Sequence, residues 1–171
     1  MFDVAQTDGD SLPQPAHVRG SPGGALSPLY AFAAARGIRV EHVTAGLSAA
    51  EGASLGGRIV LRHGRSPASE LSVLAHELAH ELLHKHDRPT DRRIRELEAE
   101  AVAFAVCDAV GLDSTIASSD YLHLYEAESK DLLASLTRIQ KAATPLIAAI
   151  DGQGEPEAEA GFGGSMVKAA A

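Results

Sequence analysis

The sequence predicts an α+β domain, mostly helical, with a short β-sheet. Three observations predict it. Apolar residues recur at helical spacing in long stretches, as Leu74, Leu78 and Leu82 and again as Leu132, Leu136, Ile139, Ala143, Leu146 and Ile150. Two short stretches, Ile38 to Val43 and Arg58 to Arg62, have the length and β-branched content of strands. The string His76-Glu77-Leu78-Ala79-His80 lies inside the first helical stretch, where two histidines four apart share one face.

The elements follow in order. Residues 1–24 are rich in Pro, Gly, Ser and Asp and read as a flexible lead. Ser27-Pro28 opens a short helix, with Gly37 just past its end. Ile38, Val40 and His42 alternate with Arg39, Glu41 and Val43 as in a half-buried strand. Ala45 to Gly57 reads as a loop or irregular hairpin turning at Gly56-Gly57. Arg58 to Arg62 is a second strand, adjacent to the next helix. Ser66-Pro67 caps a helix that runs to about His86, with Pro89 marking the break. Thr90 is the expected cap of the next helix, which ends near Val110 before Gly111. Ser119-Asp120 caps a short helix holding Tyr121 and Tyr125. The last helix carries the Leu132 to Ile150 stripe, interrupted by Pro145, and docks it on the core. The domain proper therefore spans 25–150, followed by a disordered, Gly-, Glu- and Ala-rich tail at 151–171.

Composition narrows the functional classes. The 171 residues are 45% hydrophobic and 4% aromatic, with no tryptophan, so the core is built from Ala, Leu, Val and Ile. The apolar helical stretches are punctuated by charge and too short to span a bilayer, and no signal peptide opens the chain. Cys107 is alone and reads as a small buried hydrophobe, which fits a reducing, cytoplasmic setting. The net charge is −8. An acidic chain argues against a broad nucleic-acid surface. The local exception is Lys85, Arg88, Arg92, Arg93 and Arg95. This cluster reads as a solvated rim, or as a patch that steers an acidic substrate or a phosphate backbone.

The chemistry-bearing pattern is the His76–His80 string. Two imidazoles on one helical face reach a common ion, and Glu77 can turn toward a water in the open coordination position, an arrangement suited to a zinc hydrolase. Catalytic zinc needs a third protein ligand. Of Glu96, Glu98 and Glu100, Glu98 aligns with Ile94, Ala101, Val102, Ala105 and Ala109 on an apolar stripe. A carboxylate there needs a partner to offset desolvation, so Glu98 is the expected ligand. Glu96 and Glu100 are expected on a solvated face, Glu96 pairing with Arg92. Ala99, Ala101, Ala103 and Ala105 favour close approach of the two helices, or simply favour the helix. His84 reads as an alternative ligand, a support behind the ligands or a solvated helix end, the last being favoured. His63 reads as a strand-end surface residue before a cleft residue, and His17, His42 and His123 carry no readable signal.

His76-Glu77-Leu78-Ala79-His80-Glu81-Leu82-Leu83-His84, followed by Arg95-Glu96-Leu97-Glu98-Ala99-Glu100-Ala101-Val102-Ala103-Phe104, resembles the ImmA/IrrE-type metallopeptidases, most of all the C-terminal domain of ArdC-like antirestriction proteins. The likeness runs from about Phe2 to Ile150 and is specific in these two motifs, in Tyr121-Leu122 and in Leu136-Thr137-Arg138-Ile139. It implies a zincin-like, small gluzincin-type domain and a Zn2+ cofactor held by His76, His80 and Glu98. It also implies Glu77 as catalytic base, a protein or peptide substrate able to pair as an added strand with the extended backbone of Arg58 to Arg62, and an origin in a plasmid or mobile-element antirestriction protein. Tyr121 or His63 is the candidate oxyanion donor. Two departures stand out. Phe2 to Asp10 resembles the junction where the DNA-binding domain of ArdC-like proteins ends, which puts DNA binding in doubt. Zincins of the thermolysin kind tend to carry an acid four residues after the glutamate ligand, and Val102 stands there. The alternative to an enzyme is a non-catalytic, zinc-stabilised module that binds DNA or a protein.

Overall fold

The computed structural model describes residues 18–47, 50–85, 91–114 and 129–152. The candidate helix around Tyr121 and Tyr125 and both chain ends lie outside the described residues. Within them the chain is α+β and mostly helical, with four helices and one three-stranded sheet. In chain order these are α1 (Leu26–Ala35), β1 (Arg39–Val43), β2 (Gly52–Ser54), β3 (Arg58–Arg62), α2 (Pro67–Leu83), α3 (Arg92–Ala109) and α4 (Ser129–Ile150).

Local chemistry accounts for most boundaries. α1 gives way to β1 at Gly37, which adopts φ 69°, a left-handed value glycine takes without penalty. Ser66 Oγ accepts from the Ser69 N–H and Pro67 fills the first turn, as the sequence predicts. α3 is capped by Asp91, which accepts from the Arg93 N–H, rather than by Thr90. An ionised carboxylate at that position also suits the helix dipole. α2 ends at Leu83, earlier than predicted, with His84 as its C-cap. The Ala45–Gly57 stretch does form a hairpin: β2 pairs antiparallel with β3, and Gly56 and Gly57 turn the chain at positive φ.

The sheet order is β1-β3-β2, with β1 parallel to β3. β3 is therefore central and both its edges are paired. It cannot accept an added strand, contrary to the expectation for Arg58–Arg62; β2 is the edge beside α2.

The core lies where the sheet and α2, α3 and α4 meet. Leu71, Leu74, Leu78, Leu61, Val102, Val106 and Leu146 are fully buried. Each such side chain contributes on the order of 1.5–3 kcal/mol. Leu82 is half-buried at the edge of the α2 stripe. Ala99 and Ala103 are buried and give α3 a smooth face against the core. α4 buries Ile139, Ala142, Ala143 and Leu146. Leu136 departs from the predicted stripe and is exposed, while its neighbour Ser135 takes the buried position.

Candidate metal centre

α2 presents His76 and His80 side by side, with their Nε2 atoms 3.1 Å apart. α3 brings Glu96 to the same point. Its Oε2 lies 3.6 Å from His76 Nε2 and 3.7 Å from His80 Nε2. Three ligand atoms thus ring a gap of ionic size: bonds of about 2.0–2.2 Å to a central zinc separate adjacent ligand atoms by roughly 3.3–3.5 Å. Among the described residues, His76, His80 and Glu96 are the group able to hold a metal ion.

Glu98, the ligand expected from the sequence, lies outside this group. Glu98 is more deeply buried than Glu96, as its apolar neighbours predict, but its carboxylate is committed elsewhere. Oε2 sits 2.8 Å from His84 Nε2, and Oε1 sits 2.9 Å from Arg138 Nε. Two residues along a helix is a turn of about 200°, so Glu96 and Glu98 face opposite ways. Glu96 and Glu100, expected on a solvated face, instead border the cleft with side-chain exposures of 17% and 15%. The Arg92–Glu96 pair is present at 3.6 Å. His84 is likewise not a solvated helix end but a buried residue.

Four residues after Glu96, the position that Val102 holds relative to Glu98, stands Glu100, whose Oε2 lies 3.4 Å from His76 Nδ1. A carboxylate behind a metal-binding histidine orients the ring and raises its basicity.

Glu77 is buried and sits against β2. A Cβ placed on Gly52 would lie 2.9 Å from its Oε1, and the Ser54 backbone faces its carboxylate. Burial pushes its pKa up, and outweighs the two histidines that pull it down. A carboxylate so placed is poised to take a proton. In the metal-free protein burial works against charge on His76, yet Glu100 and Glu96 overcome it and raise its pKa to about 9. Glu96 is held well below the usual carboxylate range by the two histidines, against the effect of its own burial.

The ring opens on a cleft of about 1120 Å³ whose walls are β2, α2 and the start of α3. Glu81 fixes the β2 wall, a role sequence reading missed. Its buried carboxylate accepts from Ser54 Oγ at 2.7 Å, Gly56 N at 2.9 Å and Gly57 N at 2.7 Å, clamping the hairpin turn to α2. The hint was an acid on the inward side of an apolar helix beside a Gly-Gly turn. Of the basic cluster, Lys85, Arg92 and Arg95 line the cleft; Arg88 lies outside the described residues. His63 is exposed and stacks edge-on with His42, not with His76 or His80. Tyr121 lies outside the described residues.

Residues 33–107 match the Peptidase_M78 family model, described as an IrrE N-terminal-like domain. That stretch holds the end of α1, the whole sheet, α2 and most of α3, and so every residue of the ring. The match supports an ImmA/IrrE-type likeness over those residues and a metallopeptidase-like or related function. No curated protein and no solved structure matches the chain. Among the described residues, no helix is long and apolar enough to cross a membrane.

Proposed function

We propose that this chain is a zinc-dependent metallopeptidase of the zincin kind, with His76, His80 and Glu96 as ligands and Glu77 as general base. The observation that carries the reading is the convergence of three ligand atoms beside a buried carboxylate whose pKa is raised. The donor set fits the ion: two neutral imidazoles and one carboxylate are a common catalytic zinc triad, and the open side faces a cleft. When bound, zinc supplies Lewis acidity, polarising a carbonyl and making a water acidic near neutral pH. Beside a bound metal, Glu77 would be the residue that holds a proton taken from an attacking water and passes it to a leaving amine. Glu100 holds the His76 ring through Nδ1.

The substrate in this reading is a peptide segment in extended form. Among the described residues β2 is an edge strand that lines the cleft, and an extended chain laid beside it would gain main-chain hydrogen bonds. Gly52, with no side chain, leaves room there for Glu77.

Elemental analysis of the purified protein tests the reading. About one zinc per chain is expected, kept in Glu77→Gln and lost in His76→Ala. Glu77→Gln is then expected to lose hydrolysis while holding the metal. A protein that takes up no zinc even on reconstitution would sink the proposal. Undiminished cleavage by Glu77→Gln would remove Glu77 as the base.

A further inference from the structure

Behind His80 a second line of polar groups runs into the core. The His80 Nε2 faces the ring, and its other nitrogen, Nδ1, lies 2.9 Å from Nδ1 of His84. His84 Nε2 lies 2.8 Å from Glu98 Oε2. Glu98 Oε1 lies 2.9 Å from Arg138 Nε, close enough for charge pairing though angled off a straight hydrogen bond. Arg138 Nη2 donates to the Leu83 carbonyl at 3.1 Å. The side chains of His84 and Glu98 are 4% and 1% exposed. The line crosses α2, α3 and α4.

Its chemistry has a direction. If His80 offers its Nε2 lone pair to an ion, the ring proton must sit on Nδ1. That proton can only be donated to His84 Nδ1, which must then be an acceptor. His84 Nε2 then carries its own proton and donates it to Glu98. The last acceptor must be ionised, and the Arg138 charge is placed to keep it so. Run backwards, the chain would put a proton on His80 Nε2, facing the ring, and block the ligand.

We propose that His84, Glu98 and Arg138 are positioning residues that lock His80 in its metal-binding tautomer and ring orientation. A purely packing role leaves the polarity of the line unexplained. A buried ion pair adds little net stability over apolar side chains of the same size, so its presence beside a ligand calls for another role. The proposal rests on the zinc reading above. It adds that the third α2 histidine and the deepest α3 carboxylate act on the metal without touching it.

The experiment is zinc affinity by chelator competition on the full chain, with melting of each metal-free variant as the fold control. His84→Ala is expected to weaken zinc about 10- to 100-fold, the usual cost of losing an outer-shell partner. Glu98→Gln, nearly isosteric, is expected to weaken it by up to about tenfold. The double variant should be little worse than His84→Ala alone, because the line is already cut. Histidine 15N spectra of the zinc-loaded protein should show a hydrogen-bonded Nδ1–H on His80 that His84→Ala abolishes. A structural role alone would not move that signal. Should His84→Ala not fold, Glu98→Gln and the wild-type spectrum decide the matter. A folded variant with wild-type affinity, strictly additive losses, or a wild-type His80 with no Nδ1 proton overturns the relay while leaving the zinc site standing. No zinc uptake by wild type overturns the zinc reading and the relay with it.

Discussion

Glu96 and Glu98 stand two residues apart on one helix and have opposite surroundings. Glu96 sits at the border of the cleft, with Arg92 on its outer side and two histidines on its inner side. Glu98 sits in the interior and is neutralised by protein groups from α2 and α4. On the zinc reading, burial alone therefore does not mark a metal ligand. A catalytic ion must keep a coordination position open to water, so its carboxylate belongs at the edge of an apolar stripe rather than at its centre. The centre of the stripe is where a carboxylate needs counter-charge from the protein itself.

Removing each carboxylate in turn is the largest way to break this comparison. Glu96→Ala is expected to cost at least about a hundredfold in zinc affinity, beyond the loss typical of an outer-shell change, with little change in the melting of the metal-free protein. Glu98→Ala is expected to do the reverse at saturating zinc. It keeps one zinc per chain but loses about 3 kcal/mol of stability, the low end for breaking a buried pair because Arg138 keeps partial exposure. Denaturant melts and metal analysis on both variants decide it. If Glu98→Ala loses stoichiometric zinc and Glu96→Ala keeps it, the two roles are exchanged.

This pair also shows how far sequence reasoning reached. The period of Leu74, Leu78 and Leu82, the Ser66-Pro67 start and the shared face of His76 and His80 are local properties of one helix, so they were readable. The burial of Glu98 was readable for the same reason. What covers Glu98 was not, because Arg138 comes from a helix forty residues downstream and His84 from the end of another. Distances between helices carry no signature in either one. The Glu96–Glu100 spacing is the readable signal: an i, i+4 acidic pair places one carboxylate beside the two histidine Nε2 atoms and the next beside His76 Nδ1. The middle position of β3 was hidden similarly, since β2 is a three-residue strand of Gly, Ala and Ser with no strand character.

Position Gly52 sharpens the contrast from the cleft side. An added Cβ would meet Val73 Cγ1 at 2.7 Å and Glu77 Oε1 at 2.9 Å. Gly52→Ala is expected to push Glu77 out of line and lower kcat about ten- to hundredfold, with zinc content unchanged. Loss of zinc in that variant would mean that β2 supports the ring itself rather than the base alone. Glu100→Gln is the smaller counterpart on the metal side. Weakening His76 through Nδ1 is expected to cost about tenfold in zinc affinity. An unchanged affinity would leave the His84–Glu98 side as the only effective support.

Cys107 gives the finest test of how closed the interior is. It lies on α3, fully buried, beyond the alanines that pack toward the core. Burial pushes its thiol up to about 11, so the native protein holds almost no thiolate near neutrality. Alkylation at pH 8 must then proceed through opening of the α2–α3 interface, and its rate should level off as pH passes about 8.5, the value of an exposed thiol. A rate that instead climbs about tenfold per pH unit toward 11 would mean that reagent reaches the native thiol directly. That outcome would make the α3 interior as accessible as the cleft edge and remove the contrast between Glu98 and Glu96. A level rate would show that Cys107 reacts only after local opening, so that the buried face of α3 stays closed to reagent in the native protein.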